Sequence, residues 1–473
     1  MSIAYDDQMS AAEGLMWRLE ADPHLSSTFA TVSFLDRAPD MARFRQNLVR
    51  ASLVMPRLRQ VVRTSPGNLT APKWVSDADF DIEHHVRQLT LPSNGDERMV
   101  LDLASELTAT PFDRHRPLWE FIVVEGLPKG RAALIQKLHH TIADGESGIR
   151  LSLEYLDFEP DAPARPLPDP DTVESAVENA VDATPDPGPA PAPDRVTAVA
   201  RDFLNGALKL PIGVAQQVRD LLADPSTIPD ATAEATATMR SIMGQLGDTD
   251  PARSPLWTER STRRHLEIAS VPFRETKAAA KVLGGTLNSA FMTIVTDATS
   301  RYHIELGAPV DELRASMAIS TRTADSGANA FSLVRMLVPT NEMPIDERFR
   351  SIQAATDAAM QSSSGASLDR MAAFATALPT PVVSRLARQQ AQTVDFATSN
   401  VKGSPVPMFV AGAQLLANHP IGPLSGVACN LTLLSYLGRL DMGLNTDAAA
   451  VTEPEMLARF IGESADDLLS VGS

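Results

Sequence analysis

Residues 139–145 read His139-His140-Thr-Ile-Ala-Asp144-Gly145, and the interpretation of the whole chain starts from them. They follow an apolar run, Ala132–Leu138, that is typical of a strand. After them comes a helical pattern with one apolar face, formed by Ile149, Leu153 and Leu156. Side chains at a strand-to-helix junction project from a rigid scaffold into the cleft that the strand ends border. Two adjacent histidines followed by Asp-Gly are rare by chance in a chain with nine histidines, so the segment predicts a functional site.

Neighbouring residues at a strand end point to opposite sides, so one histidine is expected to face the cleft and the other the interior. The cleft-facing imidazole suits a base near neutral pH, because the ordinary pKa of histidine is about 6.5. Asp144 can brace the loop, and Gly145 allows a backbone turn that a Cβ would hinder. Two alternatives stay open: both histidines are structural, or His139, His140 and Asp144 bind a metal. Neighbouring ligands on a strand diverge, which disfavours the metal.

Strands and helices alternate on both sides of this motif, which predicts an α/β fold. In the first half, Trp119–Val124 and Ala132–Leu138 predict a hairpin, because the residues between them are rich in Gly and Pro. In the second half, Pro272–Leu283 predicts a helix, and Thr286 is expected to cap the next one. Strand-like runs then follow at Ala315–Ile319, Ser332–Val338, Phe396–Val401, Asn430–Tyr436 and Leu440–Leu444.

Composition excludes several classes of protein. The 473 residues carry a formal net charge of −17, which repels nucleic acid. The single cysteine, Cys429, excludes an intrachain disulfide and a multi-cysteine metal site, and fits a reducing compartment such as the cytoplasm. No apolar stretch is long enough to span a bilayer, and the amino end lacks the pattern of a signal peptide.

The composition changes abruptly between Pro160 and Pro193, where ten of the 35 prolines lie among Asp, Glu and Ala. Such a segment has little to bury, which favours an exposed linker, with a long surface loop as the alternative. The predicted organisation is an amino-terminal half carrying the motif (1–159), a proline-rich linker (160–195), a helical crossover (196–260) and a carboxy-terminal half (261–473).

Four further segments accompany the histidine motif: Arg116-Pro-Leu-Trp-Glu120, Leu283-Gly-Gly-Thr-Leu-Asn288, Ser399-Asn-Val-Lys-Gly403 and Ser435-Tyr-Leu-Gly-Arg-Leu-Asp-Met-Gly443. With the motif, they resemble the wax ester synthase/diacylglycerol acyltransferase family. This family belongs to the coenzyme A-dependent acyltransferases, with chloramphenicol acetyltransferase and peptide-synthetase condensation domains. The resemblance covers nearly the whole chain outside the linker. Two residues depart from the family pattern: Ser289 replaces the usual Asp, and Lys402 replaces a Pro.

The resemblance implies two chloramphenicol-acetyltransferase-like α/β halves with a tunnel at their interface. It makes His140 the base, places His139 and Gly145 in the catalytic motif, and makes Asp144 a structural brace. It also suggests three substrate-binding residues: Asn288, Trp119 and Asn400. Asn288 would orient the thioester carbonyl or the developing oxyanion, or alternatively bond local backbone at a helix start. For Trp119 the alternative is a place in the strand core.

The implied reaction moves a fatty acyl group from acyl-coenzyme A to a long-chain alcohol or diacylglycerol, with no separate cofactor and no metal. Two other functions remain open: acylation of a different hydroxyl acceptor, and non-catalytic binding of acyl-coenzyme A or lipid. Because such substrates reside in bilayers or lipid droplets, peripheral membrane contact is expected. The apolar segment Phe203–Val214 can lie in an interface, or alternatively cover the join between the halves.

Overall fold

The computed structural model describes residues 7–64, 71–143, 145–163, 165–168, 251–320, 331–362, 372 and 380–471. The α-helices among them are α1 (Ala11–Leu19), α2 (Met41–Val54), α3 (Glu97–Ala109), α4 (Gly145–Tyr155), α5 (Phe273–Val282), α6 (Leu287–Glu305), α7 (Ile345–Ser362), α8 (Thr380–Ala391) and α9 (Pro454–Val471). The strands are β1 (Thr28–Leu35), β2 (Gln60–Arg63), β3 (Lys73–Ser76), β4 (Val86–Thr90), β5 (Trp119–Glu125), β6 (Ala132–His139), β7 (Leu156–Asp157), β8 (Arg264–Pro272), β9 (Glu312–Ser320), β10 (Phe331–Pro339), β11 (Phe396–Lys402), β12 (Phe409–Val410), β13 (Ala413–Ile421), β14 (Cys429–Tyr436) and β15 (Arg439–Asp447).

The strand that leads into the histidine motif lies inside a seven-stranded sheet of order β4-β5-β6-β1-β13-β12-β7. β5 and β6 pair antiparallel, which confirms the predicted hairpin. Every residue of β6 is buried, since helices cover both faces of the sheet. On its other side β6 pairs with β1, and Thr28 lies opposite His139. The motif therefore leaves the sheet from a rigid, fully paired strand.

The second sheet has six strands in the order β10-β9-β11-β14-β15-β8. β11 runs parallel to both β9 and β14, and the other neighbours are antiparallel. The long helix α6 is buried along most of its length and packs with α5, α7 and α9 against this sheet. Thr286 caps α6 as the sequence predicts: its side chain accepts a bond from the Ser289 N–H.

The carboxy-terminal half contributes two strands to the first sheet. β12 and β13 belong to the carboxy-terminal half by sequence but lie in the first sheet, where β13 pairs with β1. A shared apolar core follows, because Ala417 and Ile421 of β13 pack with Val32 of β1 and Val100 of α3. β13 is not among the strands that the sequence pattern predicts.

The apolar face predicted for the helix after the motif is wrong. Ile149 and Leu153 are exposed at 39% and 44%, and Leu156 lies beyond the helix in β7. Leu151 and Tyr155 are buried instead. The ring of Tyr155 contacts those of Phe44 and Phe121, and this aromatic packing fixes the helix orientation.

The first residues of the proline-rich segment contact the amino-terminal half. Arg43 donates to the Pro160 carbonyl oxygen at 3.2 Å, and Arg165 donates to the Leu156 carbonyl oxygen at 2.6 Å. Residues 169–250, which include Phe203–Val214 and most of the predicted linker and crossover, lie outside the described residues. In the part of the chain that is described, no single helix is long and apolar enough to cross a membrane; α5 and α6 pass that test only as a pair bent by 95°.

Candidate active site

His139 lies at the buried end of β6 and is 1% exposed. The Thr141 backbone N–H, which can only donate, points to its Nδ1 at 3.2 Å, and the Thr141 hydroxyl lies 2.7 Å from the same nitrogen. Nδ1 is therefore an acceptor, and Nε2 carries the proton. Nε2 lies 3.1 Å from Oε2 of Glu20 and donates to it. Both ring nitrogens of His139 are thus engaged within the protein.

His140 is half-buried and follows the end of β6. Its backbone N–H donates to the Ser27 carbonyl oxygen at 3.2 Å, continuing the pairing of β6 with β1. Its ring lies against Phe29, with ring centroids 4.7 Å apart. The two neighbouring histidines therefore occupy different surroundings, as the alternation of side chains along a strand predicts.

Two further motif residues were predicted to belong to the site. Asp144 lies outside the described residues, so its expected role as a brace stays a prediction. Gly145 is the first residue of α4, which places the end of the motif at a helix start.

Trp119 lies in the core of the amino-terminal half. It is fully buried, its Nε1–H donates to the Leu58 carbonyl oxygen at 2.8 Å, and its ring stacks on that of His85. This is the core position that the sequence analysis held as the alternative. No surface of Trp119 is left for a substrate in this conformation.

Asn288 and Asn400 both belong to the carboxy-terminal half, Asn288 on helix α6 and Asn400 on strand β11 of the second sheet, whereas the histidines belong to the first sheet. Asn288 is the second residue of α6, and its Nδ2 lies 3.0 Å from Sδ of Met317 on β9. Met317 is level with Thr398 on β11, two residues before the exposed Asn400. Ser289 is the third residue of α6 and completes the capping box: its side chain accepts the Thr286 N–H, and its hydroxyl donates to Gln353 at 2.6 Å.

The chain that leaves β13 joins the first sheet to the second close to the histidines. Ala30 of β1 pairs with both Lys137 of β6 and Ile421 of β13. The next two carbonyl oxygens accept side-chain amides of the second sheet: Gly422 from Asn445 and Pro423 from Asn430, both at 2.8 Å. These bonds fix the second sheet against the end of β13, which is separated from the motif strand β6 by β1 alone.

A carboxylate that the sequence analysis did not consider completes the surroundings of the motif. Glu20 follows α1 and accepts hydrogen bonds from the Ser27 N–H at 2.8 Å, the Ser26 hydroxyl at 2.7 Å and His139. Burial raises the pKa of Glu20, but these hydrogen bonds and the attraction of His139 lower it more, so the net shift is downward. It lies 119 residues before His139, and no local pattern marks it.

Next to Glu20 is an open cavity between the halves, with a volume of about 420 Å³. The turn at 21–23 forms one wall and α8 of the carboxy-terminal half the other; Asp22 and Arg388 pair across it. Within the described ranges, the one cluster with metal-ligand chemistry is His265, Glu267 and Glu455, which includes neither motif histidine.

Solved structures with the same fold define the class to which this architecture belongs. The wax ester synthase/diacylglycerol acyltransferase from Marinobacter aquaeolei VT8 superposes with a TM-score of 0.65 at 20% identity, over 98% of this chain and 100% of that one. The first condensation domain of the calcium-dependent antibiotic synthetase gives 0.56 at 13% identity, over 98% and 97%. The fold is therefore the two-halved fold that acyltransferases and condensation domains share.

Sequence comparison identifies the family within this class. Residues 9–291 match the wax ester synthase/diacylglycerol acyltransferase catalytic domain, and residues 327–468 match the WS/DGAT C-terminal domain. A protein from Mycobacterium tuberculosis (strain H37Rv) is 29% identical over 98% of this chain and 92% of its own length. Its name assigns it provisionally as a diacylglycerol O-acyltransferase. The chain belongs to the wax ester synthase/diacylglycerol acyltransferase family and is an acyltransferase enzyme.

Proposed function

We propose that the chain transfers a fatty acyl group from acyl-coenzyme A to the hydroxyl of a long-chain alcohol or diacylglycerol, with His140 as the general base. The observation that carries this assignment is the bonding of His139. Its nitrogens are engaged by Glu20 and Thr141, and its ring is buried. Of the two motif histidines, only His140 is partly exposed, whereas His139 is 1% exposed.

The proposed step is a direct transfer between two bound substrates. His140 accepts the proton of the acceptor hydroxyl while its oxygen attacks the thioester carbonyl carbon. The tetrahedral intermediate collapses as the C–S bond breaks, and the imidazolium returns the proton to the coenzyme A sulfur. An ester and a free thiol result. Asn288 and Asn400 are the proposed polar contacts on the side of the second sheet, Asn288 toward the developing oxyanion.

Three remaining parts of the proposal follow from the same step. Asp144 braces the loop rather than relaying a proton. A metal is not needed, because the hydroxyl is activated by a base and the coenzyme leaves as a thiol.

Because both substrates carry long apolar chains, the proposed place of reaction is a membrane or lipid-droplet surface. Flotation of the purified chain with phospholipid vesicles tests that contact.

The experiment is a thiol-release assay with palmitoyl-coenzyme A, offered hexadecanol or a diacylglycerol in separate reactions. His140→Ala is expected to fold and to lower the rate about 100-fold or more, the usual scale for losing a general base. His115→Ala is the matched control, because His115 is exposed and its backbone N–H, which the substitution keeps, donates to Asp113 at 2.9 Å. Each reaction is repeated with EDTA, which is expected to change nothing.

The outcomes separate the competing functions. Near-full thiol release by His140→Ala means that the base is assigned wrongly. Wild-type protein that binds palmitoyl-coenzyme A but releases no thiol with either acceptor favours another hydroxyl acceptor or a non-catalytic binding role. Loss of activity with EDTA and its return with zinc would show a metal-dependent reaction instead.

A further inference from the structure

Glu20 connects the first helix to the catalytic motif. It follows α1, and its side chain is 9% exposed. Oε1 accepts from the Ser26 hydroxyl, and Oε2 accepts from both the Ser27 N–H and Nε2 of His139. Ser26 and Ser27 immediately precede β1, and His139 is the last residue of β6. The carboxylate therefore holds the start of β1 and the end of β6 together.

The same contacts extend to His140 through one residue, Ser27. Ser27 gives its N–H to Glu20, and its carbonyl oxygen accepts the N–H of His140. The N–H and the carbonyl group of Ser27 lie on the two sides of its Cα, so anchoring the N–H to Glu20 holds Ser27 where its carbonyl oxygen meets the His140 N–H. Oε2 of Glu20, the atom that accepts the Ser27 N–H, also accepts the hydrogen bond from Nε2 of His139. Glu20 thus restrains both the residue before His140 and the residue that pairs with the His140 N–H.

We propose that Glu20 is a positioning residue that holds His140 in its reactive orientation through hydrogen bonds to Ser27 and His139. The inference rests on the proposed role of His140 and extends it to a residue far away in sequence. Accurate placement is what a base needs, because a displacement of about 1 Å in an active site can cost about 100-fold in rate.

Hydrogen-bond acceptance, rather than charge alone, is the property that this role requires. A Gln at position 20 can keep its carbonyl oxygen toward Ser27 and His139 while its amide faces the Ser26 hydroxyl, which can accept. A Met of similar length offers no oxygen and leaves two buried donors unsatisfied. An Asp keeps a carboxylate but is one methylene shorter. These three substitutions separate acceptance, charge and reach.

The experiment measures kcat and KM for thiol release with palmitoyl-coenzyme A and hexadecanol. Glu20→Met is expected to lower kcat by about 10- to 100-fold with KM for palmitoyl-coenzyme A within about twofold, and Glu20→Gln to recover most of that loss. Glu267→Met is the matched control, because Glu267 also accepts from a histidine Nε2, that of His265 at 2.7 Å, away from the motif. It is expected to keep the wild-type kcat.

A double-mutant cycle shows whether Glu20 acts through His140. In a His140→Ala background, Glu20→Met is expected to cause no further loss of kcat, because residues acting as one unit are not additive. Equal loss from Glu20→Met in both backgrounds would overturn the inference. So would a Glu20→Gln variant as slow as Glu20→Met, or a Glu20→Met variant with the kcat of Glu267→Met.

Two further readings keep the test decisive. If Glu20→Met does not fold, Glu20→Asp takes its place, with an expected loss in kcat of at least about fivefold from the shortened reach; full kcat in that variant overturns the inference. If His140→Ala retains thiol release, the proposed base is wrong. If His140→Ala is inactive while Glu20→Met matches its control, only the role of Glu20 fails.

Discussion

At the scale of single residues, His139 and His140 are chemically identical neighbours whose surroundings differ. At the end of β6, the ring of His139 is buried and hydrogen-bonded at both nitrogens, whereas His140 is half-buried and its ring lies against Phe29. The sequence predicts this division from strand alternation alone. It does not predict which carboxylate bonds His139, because Glu20 and His139 meet only when β1 pairs with β6.

Trp119 provides a residue-scale test of the difference between core and substrate contact. Trp119→Phe removes the Nε1–H donor and leaves the buried Leu58 carbonyl oxygen without it. We expect a loss of unfolding free energy of about 1–3 kcal/mol, with KM for palmitoyl-coenzyme A unchanged. Denaturant unfolding followed by circular dichroism, together with thiol-release kinetics, measures both. A raised KM with unchanged stability would make Trp119 a substrate contact.

At the scale of elements, local signals were reliable where local chemistry decides the structure. The hairpin of β5 and β6 and the cap at Thr286 both follow from a few neighbouring residues. The assignment of β13 to the first sheet does not, because its partner β1 lies more than 370 residues earlier. The apolar face of α4 differs from the predicted one for a related reason: Tyr155 faces inward because the rings of Phe44 and Phe121, from other elements, pack against it.

The close approach of β13 to β15 gives an element-scale prediction. A Cβ on Gly443 would lie 2.0 Å from the Pro420 carbonyl oxygen and 2.6 Å from Cδ1 of Ile421, so Gly443→Ala must push β13 off the second sheet. We expect lower thermal stability and a loss of thiol release of about tenfold or more, because β13 also carries the junction next to the motif.

The matched control for this substitution is Gly462→Ala. Gly462 lies inside α9, and an added Cβ there meets no atom within 4 Å. Alanine in a helix interior is more favourable than glycine by about 1 kcal/mol, so this variant is expected to be at least as stable as wild type and fully active. If Gly443→Ala has the same melting temperature and the same rate of thiol release as Gly462→Ala, the two sheets do not need this close contact.

At the scale of the whole molecule, the two halves are joined by more than the covalent connection between them. The first sheet is incomplete without β12 and β13, and the apolar core that contains Ala417 and Ile421 draws residues from both halves. Arg98 of α3 also donates to the Leu266 carbonyl oxygen of β8 at 2.8 Å. The sequence predicts two α/β halves and a proline-rich connection. The placement of β12 and β13 in the first sheet is not predicted, because it depends on pairing between distant parts of the chain.

The pairing of β13 with β1 leads to a prediction about the proline-rich segment, from residue 169 to Pro193. Its composition offers little to bury, so limited proteolysis is expected to cut there first. The contacts of Arg43 with Pro160 and of Arg165 with Leu156 place the expected cut after residue 168 rather than at Pro160 itself.

The two fragments are expected to remain associated and to keep thiol release, because β13 stays paired with β1 and buried between the halves after the cut. A Gly/Ser connector of adequate reach is expected to preserve activity as well, since doubling a flexible connection changes the closure free energy by only about 0.6 kcal/mol. Size-exclusion chromatography of the cut protein and the thiol-release assay measure both. Fragments that separate would show that β12 and β13 do not hold the halves together. Fragments that stay associated but are inactive would show that the segment itself contributes to the site.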